Sequence, residues 1–406
     1  MSECRVCGAA VAPFMSFGRM PIANGFLSPE EFDAEYFFEL RVAFCDRCQM
    51  VQLMEQPLRE QMFHEHYAFF SSTSVRMAEH FRAYAAFVRS RYLGAPDPFV
   101  VEIGSNDGIL LRHLQAAGVR HLGVEPSANV ARVAVEQGIH TLNAFFDEQV
   151  AGQIRSQHGE ADAILAANVM CHIPYLDSVM GGVQRLLKAN GVLIFEDPYL
   201  GDIVEKTSYD QIYDEHAFYF SVSSLSHLLG RHGLEIVEAY PQAVHGGSMR
   251  YVVARMGVFT TGASVENQRA KETALGLDRP ETYVRLATNI EASRSSLMAL
   301  LEDLRGKGKR VVGYAATSKS TTVINYCGIT PAHLDFISDT TPIKQGRYSP
   351  GMHIPVRPRE EFARRFPDYA LLFGWNHAEE ILAKEQEFRR AGGQWIVYVP
   401  KVEVRS

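Results

Sequence analysis

The chain of 406 residues sets 47 Asp plus Glu against 40 Lys plus Arg, a net charge of −7, with 47% apolar and 21% charged residues. A chain this long has room for two to four domains of roughly 100 to 200 residues, which excludes a single small module, and its composition excludes a disordered or fibrous chain. The acidic balance argues against nucleic acid or an anionic membrane surface as main partner. With no apolar run of about 18 residues and no charged-then-apolar leader at Met1-Ser2-Glu3-Cys4, a soluble cytoplasmic protein is expected.

The chain opens on Cys4-x-x-Cys7, and a second pair, Cys45-x-x-Cys48, follows after 37 residues. In a reducing compartment two such knuckles can wrap four thiolates tetrahedrally around one Zn²⁺, and Gly8 can supply the positive φ of the first turn. Four protein thiolates close the shell, so Cys4, Cys7, Cys45 and Cys48 are expected to hold a structural zinc with no position left for a reacting water. Residues 1–66 carry five Arg and no Lys against ten acids, which argues against a phosphate-gripping finger. The long loop between the pairs is expected to carry strands of its own. Cys171 and Cys327 stand alone in apolar surroundings and read as packing residues.

A helix is expected from Val75 to about Arg91, with Ser74 as N-cap and Gly94-Ala95-Pro96-Asp97-Pro98 as its stop. From Phe99, short β-rich runs (99–103, 121–125, 163–167, 191–196) alternate with helical ones, the pattern of a doubly wound parallel sheet. A charged stretch from about Val265 to Arg305, broken by Gly276 and Pro280, reads as a linking helix or helix pair. A second alternation follows at 310–314, 334–339, 369–373 and 394–399. Both series run strand, small-residue loop, strand ending in an acid, strand ending near Asn (Asn168, Asn376), final strand. Two Rossmann-like α/β halves facing each other would enclose a cleft. The expected division is a zinc-binding domain at 1–66, a first α/β domain at 67–255, a helical linker at 256–305 and a C-terminal α/β domain at 306–406.

The first strand of the first half leads into Val101-Glu102-Ile103-Gly104-Ser105-Asn106-Asp107-Gly108, at the sheet edge where doubly wound folds bind ligands. A dinucleotide GxGxxG loop needs its second Gly where Asn106 stands, so a pyrophosphate would meet a side chain. The E-x-G-x-x-x-G form instead resembles motif I of class I S-adenosylmethionine-dependent methyltransferases. That resemblance implies Glu102 and Gly104 beside the methionine portion, with Asn106 and Asp107 as further cofactor contacts. Glu125, 21 residues after Gly104, ends the next strand and suits the ribose hydroxyls of either an adenosyl or a nicotinamide group. Asn168 and the pair Phe145-Phe146 favour S-adenosylmethionine over NAD, while core packing stays open for the two Phe.

Beyond the fourth strand, residues 209–219 hold three Tyr, one His and three acids, a density of proton-transfer groups. His216 is suited to take a proton from a carbon made acidic by a neighbouring ketone, and Tyr hydroxyls to stabilise the enolate oxygen. A wall of core aromatics with a satisfied His is the competing reading of the same composition. In the C-terminal half, Lys319, in a small-residue loop after a strand, and Lys344 are candidates for meeting phosphate. Asn376, ending a strand, and His172 join them as candidate substrate contacts.

Taken together, the two CxxC pairs, Tyr67 with Phe69-Phe70-Ser71-Ser72-Thr73-Ser74, the 102–108 loop, Tyr213-Asp214-Glu215-His216 and His245-Gly246-Gly247-Ser248 resemble the sugar C-3-methyltransferases of deoxysugar and antibiotic biosynthesis. The resemblance spans the chain. It implies a zinc-binding N-terminal domain, a central methyltransferase domain, and a C-terminal α/β domain that helps hold a dTDP-4-keto-6-deoxyhexose. It also implies His216 as base, with Glu215, Tyr213 and Tyr67 beside the sugar. The expected partners are S-adenosylmethionine and that nucleotide sugar, with no nucleic acid or membrane, in a monomer or weak homo-oligomer. An O- or N-methyltransferase and a non-catalytic nucleotide-binding protein are the alternatives to be tested.

Overall fold

A computed structural model describes residues 2–58, 62 and 75–405. Tyr67 and the aromatic-serine run after it lie outside the described residues. At the N-terminus, β1 (Ser2–Glu3) and β2 (Ala10–Val11) pair across the first CxxC turn. The long loop between the cysteine pairs does carry strands, β3 (Pro13–Pro21) and β4 (Phe37–Phe44), and β5 (Val51–Leu53) extends their antiparallel sheet.

The helix Val75–Tyr92 leads into β6 (Phe99–Ile103), β7 (Arg120–Val124), β8 (Thr141–Leu142), β9 (Ala161–Ala167) and β10 (Leu187–Pro198). Next comes β11 (Phe218–Tyr219), then β12 (Leu234–Gln242) and β13 (Ser248–Arg255). One seven-stranded sheet has the order β12-β13-β10-β9-β6-β7-β8, parallel from β10 to β8, with β13 antiparallel to β10 and to β12. This is a doubly wound, Rossmann-like sheet with an antiparallel strand pair at one edge. All five residues of β6 are buried, because helices cover both faces of its parallel core. β11 leaves that sheet and pairs with β5 of the N-terminal sheet, a join the sequence pattern did not indicate.

The linking stretch is a helix pair. Gly276, at φ +69°, ends Ala263–Leu275, and Pro280 occupies the first turn of Pro280–Gly306, where its missing N–H costs nothing. The C-terminal half holds β14 (Val311–Tyr314), β15 (Ile337–Ser338), β16 (Val356–Arg357), β17 (Tyr369–Leu372), β18 (Gln394–Val397) and β19 (Glu403–Arg405). Their order is β16-β15-β14-β17-β18-β19, parallel except for β19. The strand expected over 334–339 forms only at Ile337–Ser338, because Leu334 still closes a turn onto the Thr330 carbonyl.

The parts share cores. One apolar cluster runs from Cys4, Val6 and Cys45 into the seven-stranded sheet at Phe99, Ile164 and Phe195. A second joins Phe17, Leu40 and Leu53 of the N-terminal sheet to Tyr283 and Leu297 of the linker, Val323 and Tyr398 of the C-terminal half, and Tyr209 and Tyr219 of the expected catalytic segment. Among the described residues no helix is long and apolar enough to cross a membrane.

Candidate active site

The metal-binding knuckles lie together. The sulfurs of Cys4, Cys7, Cys45 and Cys48 are all within 4.8 Å of one another, with Cys4–Cys48 and Cys7–Cys45 both at 3.5 Å. Backbone turns aim them: the Gly8 amide donates to Cys4 O and the Gln49 amide to Cys45 O, with Gly8 and Gln49 both at positive φ. Sulfurs at these separations suit the tetrahedral shell of a Zn²⁺ bound at about 2.3 Å. The donor set leaves no open position, so the metal's role is structural.

At the carboxyl edge of β6, β7 and β9 lies a cavity of about 920 Å³, its open mouth included, lined by Gly104, Asn106, Glu125, Phe145, Phe146, Asn168, His172 and His245 among others. Local chain chemistry shapes it. Gly104 sits at φ +65°, and a Cβ there would lie 2.5 Å from Val169 Cγ2, so only Gly lets the chain turn under the ligand. Asn106 and Asn168 also adopt positive φ. Glu125 accepts from the amides of Asn106 (2.9 Å) and Ser127 (2.8 Å), which hold its carboxyl at the rim, and burial pushes its pKa up to about 7.

Glu102 and Asp107 are buried behind the loop and outside the cavity lining. Burial, then Glu125 and Asp107, raise the Glu102 carboxyl well above its usual range. Glu102 Oε2 and Asn168 Oδ1 have no hydrogen-bond partner among the described residues. An orphaned acceptor on Asn168 in the cavity wall, an acid at the second strand's end and an apolar floor fit a ligand with a ribose and an ammonium group. S-adenosylmethionine is such a ligand. Met77 and Phe81 of the helix Val75–Tyr92 close the cavity from above. The sequence pattern indicated a helix here but no site role for either residue.

His216 lies next to this cavity, against His172, with ring centroids 5.2 Å apart. It is 1% exposed. Its Nδ1 is 2.7 Å from the Gln211 carbonyl, which can only accept, so Nδ1 carries the hydrogen and Nε2 keeps its lone pair. Nε2 has no hydrogen-bond partner among the described residues. Burial first, then His172, push the His216 pKa well below 6.5, so the ring is neutral near pH 7. Burial likewise holds His172 at about 3.

The Tyr213 ring packs on His216 at 4.2 Å between centroids. Glu215 Oε1 accepts from Asn24 Nδ2 at 2.7 Å, and Asp214 Oδ1 from the Ala23 amide at 3.0 Å, which pins this segment to the N-terminal module. Gln56 Nε2 donates to the Asp214 carbonyl at 3.0 Å. The sequence offered no sign of Asn24 or Gln56, whose neighbours in space are distant in the chain.

The candidate substrate residues divide. Lys344 borders a second cavity, about 1140 Å³ with its mouth, together with Asn24, Phe26 and Arg347. Its Nζ donates to Ala316 O at 2.8 Å and lies 4.7 Å from the Phe26 ring centroid, and burial pulls its pKa down. Lys319 lies in the first turn of the helix Ser318–Cys327 rather than in a loop, buried, donating to the His245 carbonyl at 2.9 Å. Burial lowers its pKa to about 8. Asn376 occupies the single turn Trp375–His377. The structure thus brings Glu125, Asn168, His172, His216 and Tyr213 to one region, with Lys344 near Glu215 and Lys319 on the loop at His245.

Three family models match the chain: a zinc binding domain over residues 4–63, a methyltransferase domain over 77–239, and a C-methyltransferase C-terminal domain over 243–400. The C-methyltransferase NovU of Streptomyces niveus is 35% identical over 410 residues, covering all of this chain and 97% of its own. Among solved structures, a SAM-dependent methyltransferase from Anabaena variabilis is 17% identical with a TM-score of 0.34, covering 43% of this chain and 84% of its own. A magnesium protoporphyrin IX methyltransferase from Synechocystis with bound SAH is 16% identical with a TM-score of 0.35, covering 44% and 83%.

Proposed function

This chain belongs to the C-methyltransferase family, and from that premise we propose that it transfers the methyl of S-adenosylmethionine to C3 of a dTDP-4-keto-6-deoxy sugar. The observation that carries the reading is the tautomer of His216: a buried, neutral imidazole with Nδ1–H on a carbonyl and Nε2 bare, beside a cofactor-sized cavity. A ketone acidifies the adjacent C–H. His216 Nε2 takes that proton, the C–H electron pair passes into the enolate, and C3 attacks the sulfonium methyl. The methyl–sulfur bond breaks with its electrons on sulfur, leaving S-adenosylhomocysteine, and the imidazolium returns its proton to solvent.

Tyr213 and Tyr67 are the candidates for holding the enolate oxygen, and Glu215, steadied by Asn24, for a sugar hydroxyl. Lys344, with Arg347 beside the same cavity, supplies positive charge for a diphosphate in a chain whose net charge repels it. His172 lines the cavity between cofactor and base. The test is His216→Asn assayed with a panel of 4-keto nucleotide sugars by mass spectrometry. Loss of methylated product with S-adenosylmethionine binding intact is expected; full turnover in the variant removes the base. Solvent deuterium at C3 before methylation separates carbon from oxygen or nitrogen attack.

A further inference from the structure

The C-terminal half does more than border the second cavity: it grips the turn that carries the Gln211 carbonyl. Asp210 is fully buried, and its Oδ2 accepts from Trp375 Nε1 at 2.6 Å and from Tyr398 O–H at 2.9 Å, both C-terminal residues. On the other side of Gln211, the Ile212 carbonyl accepts from Thr322 Oγ1 at 2.7 Å. The Gln211 side chain donates to the His245 carbonyl, which also receives Lys319 Nζ. Gln211 O is therefore bracketed by contacts from residues 319–398 and points at His216 Nδ1.

We propose that Asp210 is a positioning residue: held by Trp375 and Tyr398, it keeps the Gln211 carbonyl on His216 Nδ1 and so keeps Nε2 as the bare nitrogen of the base. The inference rests on the reading of His216 as base. An imidazole is a competent base at one nitrogen only while the other holds the hydrogen, and which nitrogen does so is set by the partner it meets. If the turn drifts, Nδ1 loses its acceptor and the hydrogen is shared between both nitrogens. Among the described residues, the charged or titratable groups facing His216 are Cys171, His172, Tyr213, Tyr219, Lys319 and His245, with Asp214 and Glu215 adjoining in the chain. None of these donates to or accepts from its Nδ1 in the hydrogen bonds described. The C-terminal half would thereby decide proton abstraction at a distance.

The experiment measures washout of the C3 proton of a 4-keto nucleotide sugar into D₂O, with S-adenosylhomocysteine present so that no methyl moves. Asp210→Ala is expected to slow exchange about tenfold to a hundredfold, a fraction of the 10² to 10⁴ that a general base contributes. Asp210→Asn, which retains an acceptor oxygen, should recover part of it. S-adenosylmethionine affinity should stay within about twofold, and the pH profile of exchange should change shape. Tyr398→Phe removes one hydroxyl and keeps the ring, so it covers the case in which Asp210→Ala does not fold, and its exchange should fall severalfold. Wild-type exchange in folded Asp210→Ala, or in Tyr398→Phe where Asp210→Ala does not fold, overturns the proposal. His216→Asn run in parallel separates the two claims: exchange surviving there removes the base itself, whereas exchange lost there but untouched at Asp210 and Tyr398 removes only the positioning.

Discussion

The carboxyl edges of the two α/β sheets are built alike and end differently. In the first half Glu125, at the end of β7, accepts from the amides of Asn106 and Ser127; in the second Asp339, just past β15, accepts from those of Ala316 (2.7 Å) and Thr341 (2.7 Å). Each loop after the first strand carries a non-glycine residue at positive φ, Asn106 at +48° and Ala315 at +70°. Around Glu125, however, an open cavity remains, and Glu102 and Asn168 keep polar atoms with no partner among the described residues. Around Asp339 more of the neighbouring groups are taken, although Ser338 Oγ has no partner among the described residues: Lys344 binds Ala316 O, the Gln345 side chain binds Asp339 O, and Lys319 reaches across to His245 O. A doubly wound sheet offers a crevice at its switch point by construction. Whether that crevice is a cofactor site depends on how many of its polar groups the protein has already satisfied.

The largest effect we expect falls on the module that serves both halves. Only Gln49 and Met50 separate Cys48 from β5, and the first residue past His216, Ala217, accepts from the Leu53 amide at 2.9 Å before β11 pairs with β5. Zinc removal by a strong chelator, or Cys45→Ser, should unfold the N-terminal module and abolish turnover, since structural zinc contributes on the order of 10 kcal/mol. Metal analysis should find one zinc per chain. A folded, active, metal-free enzyme would break this link between knuckle and base.

Next in size is Glu196→Ala. Glu196 is buried, 2.6 Å from Arg250 Nε and 2.5 Å from His80 Nε2, while Arg250 lies over the Tyr84 and Phe87 rings. Removing one partner of a buried pair costs about 3–5 kcal/mol because the other charge stays uncompensated. The counterpart in the second half, Glu385, pairs with an Arg359 whose side chain is 30% exposed, so Glu385→Ala should cost less. Denaturant melts of both variants rank the two, and a reversed order would show that solvent access does not distinguish them.

A matched pair then tests the comparison itself. Glu125→Gln should weaken S-adenosylmethionine about tenfold to a hundredfold, the range for a hydrogen bond to a charged group, with little change in melting temperature. Asp339→Asn should lower stability by about 1–2 kcal/mol and leave that affinity unchanged. Isothermal titration and thermal melts read both. Equal effects on affinity would make the second edge a cofactor site after all.

How much of this was legible follows the same division. The zinc ligands, the strand alternation and the Glu102–Gly108 loop were readable because each is set by local chemistry: thiolate pairs, short continuous apolar β-rich runs buried on both faces, and a glycine that must turn under a ligand. The pairing of β11 with β5 was not, because a two-residue strand has no pattern of its own and its partner lies some 165 residues earlier. Lys319 lies on a helix where a loop was expected, because Thr317, which accepts the Ser320 amide as an N-cap, makes 318 the start of a helix. The hydrogen bond from His216 Nδ1 to Gln211 O spans five residues, yet it depends on a turn fixed by Trp375 and Tyr398, which no spacing rule connects to it.

The smallest expected effect is a pH dependence confined to the first edge. Burial raises the Glu125 carboxyl to about 7, while the amides of Ser127 and Asn106 pull the other way. Its folded pKa lies above the ordinary 4.5 of a glutamate, so the folded apo protein holds this proton longer than the unfolded chain does. The group's contribution to stability is present below about 4.5 and is lost as pH rises through about 7. Ribose hydroxyls donate to the ionised form, so a bound cofactor favours deprotonation, and affinity should climb from pH 6 to pH 8 by up to about tenfold. In Glu125→Gln the affinity should be low and flat over the same range, because nothing at that position titrates. A wild-type affinity that does not change between pH 6 and 8, or a Gln variant that still shows the slope, would mean that some other group carries the cofactor's pH dependence and that Glu125 meets the ribose already ionised.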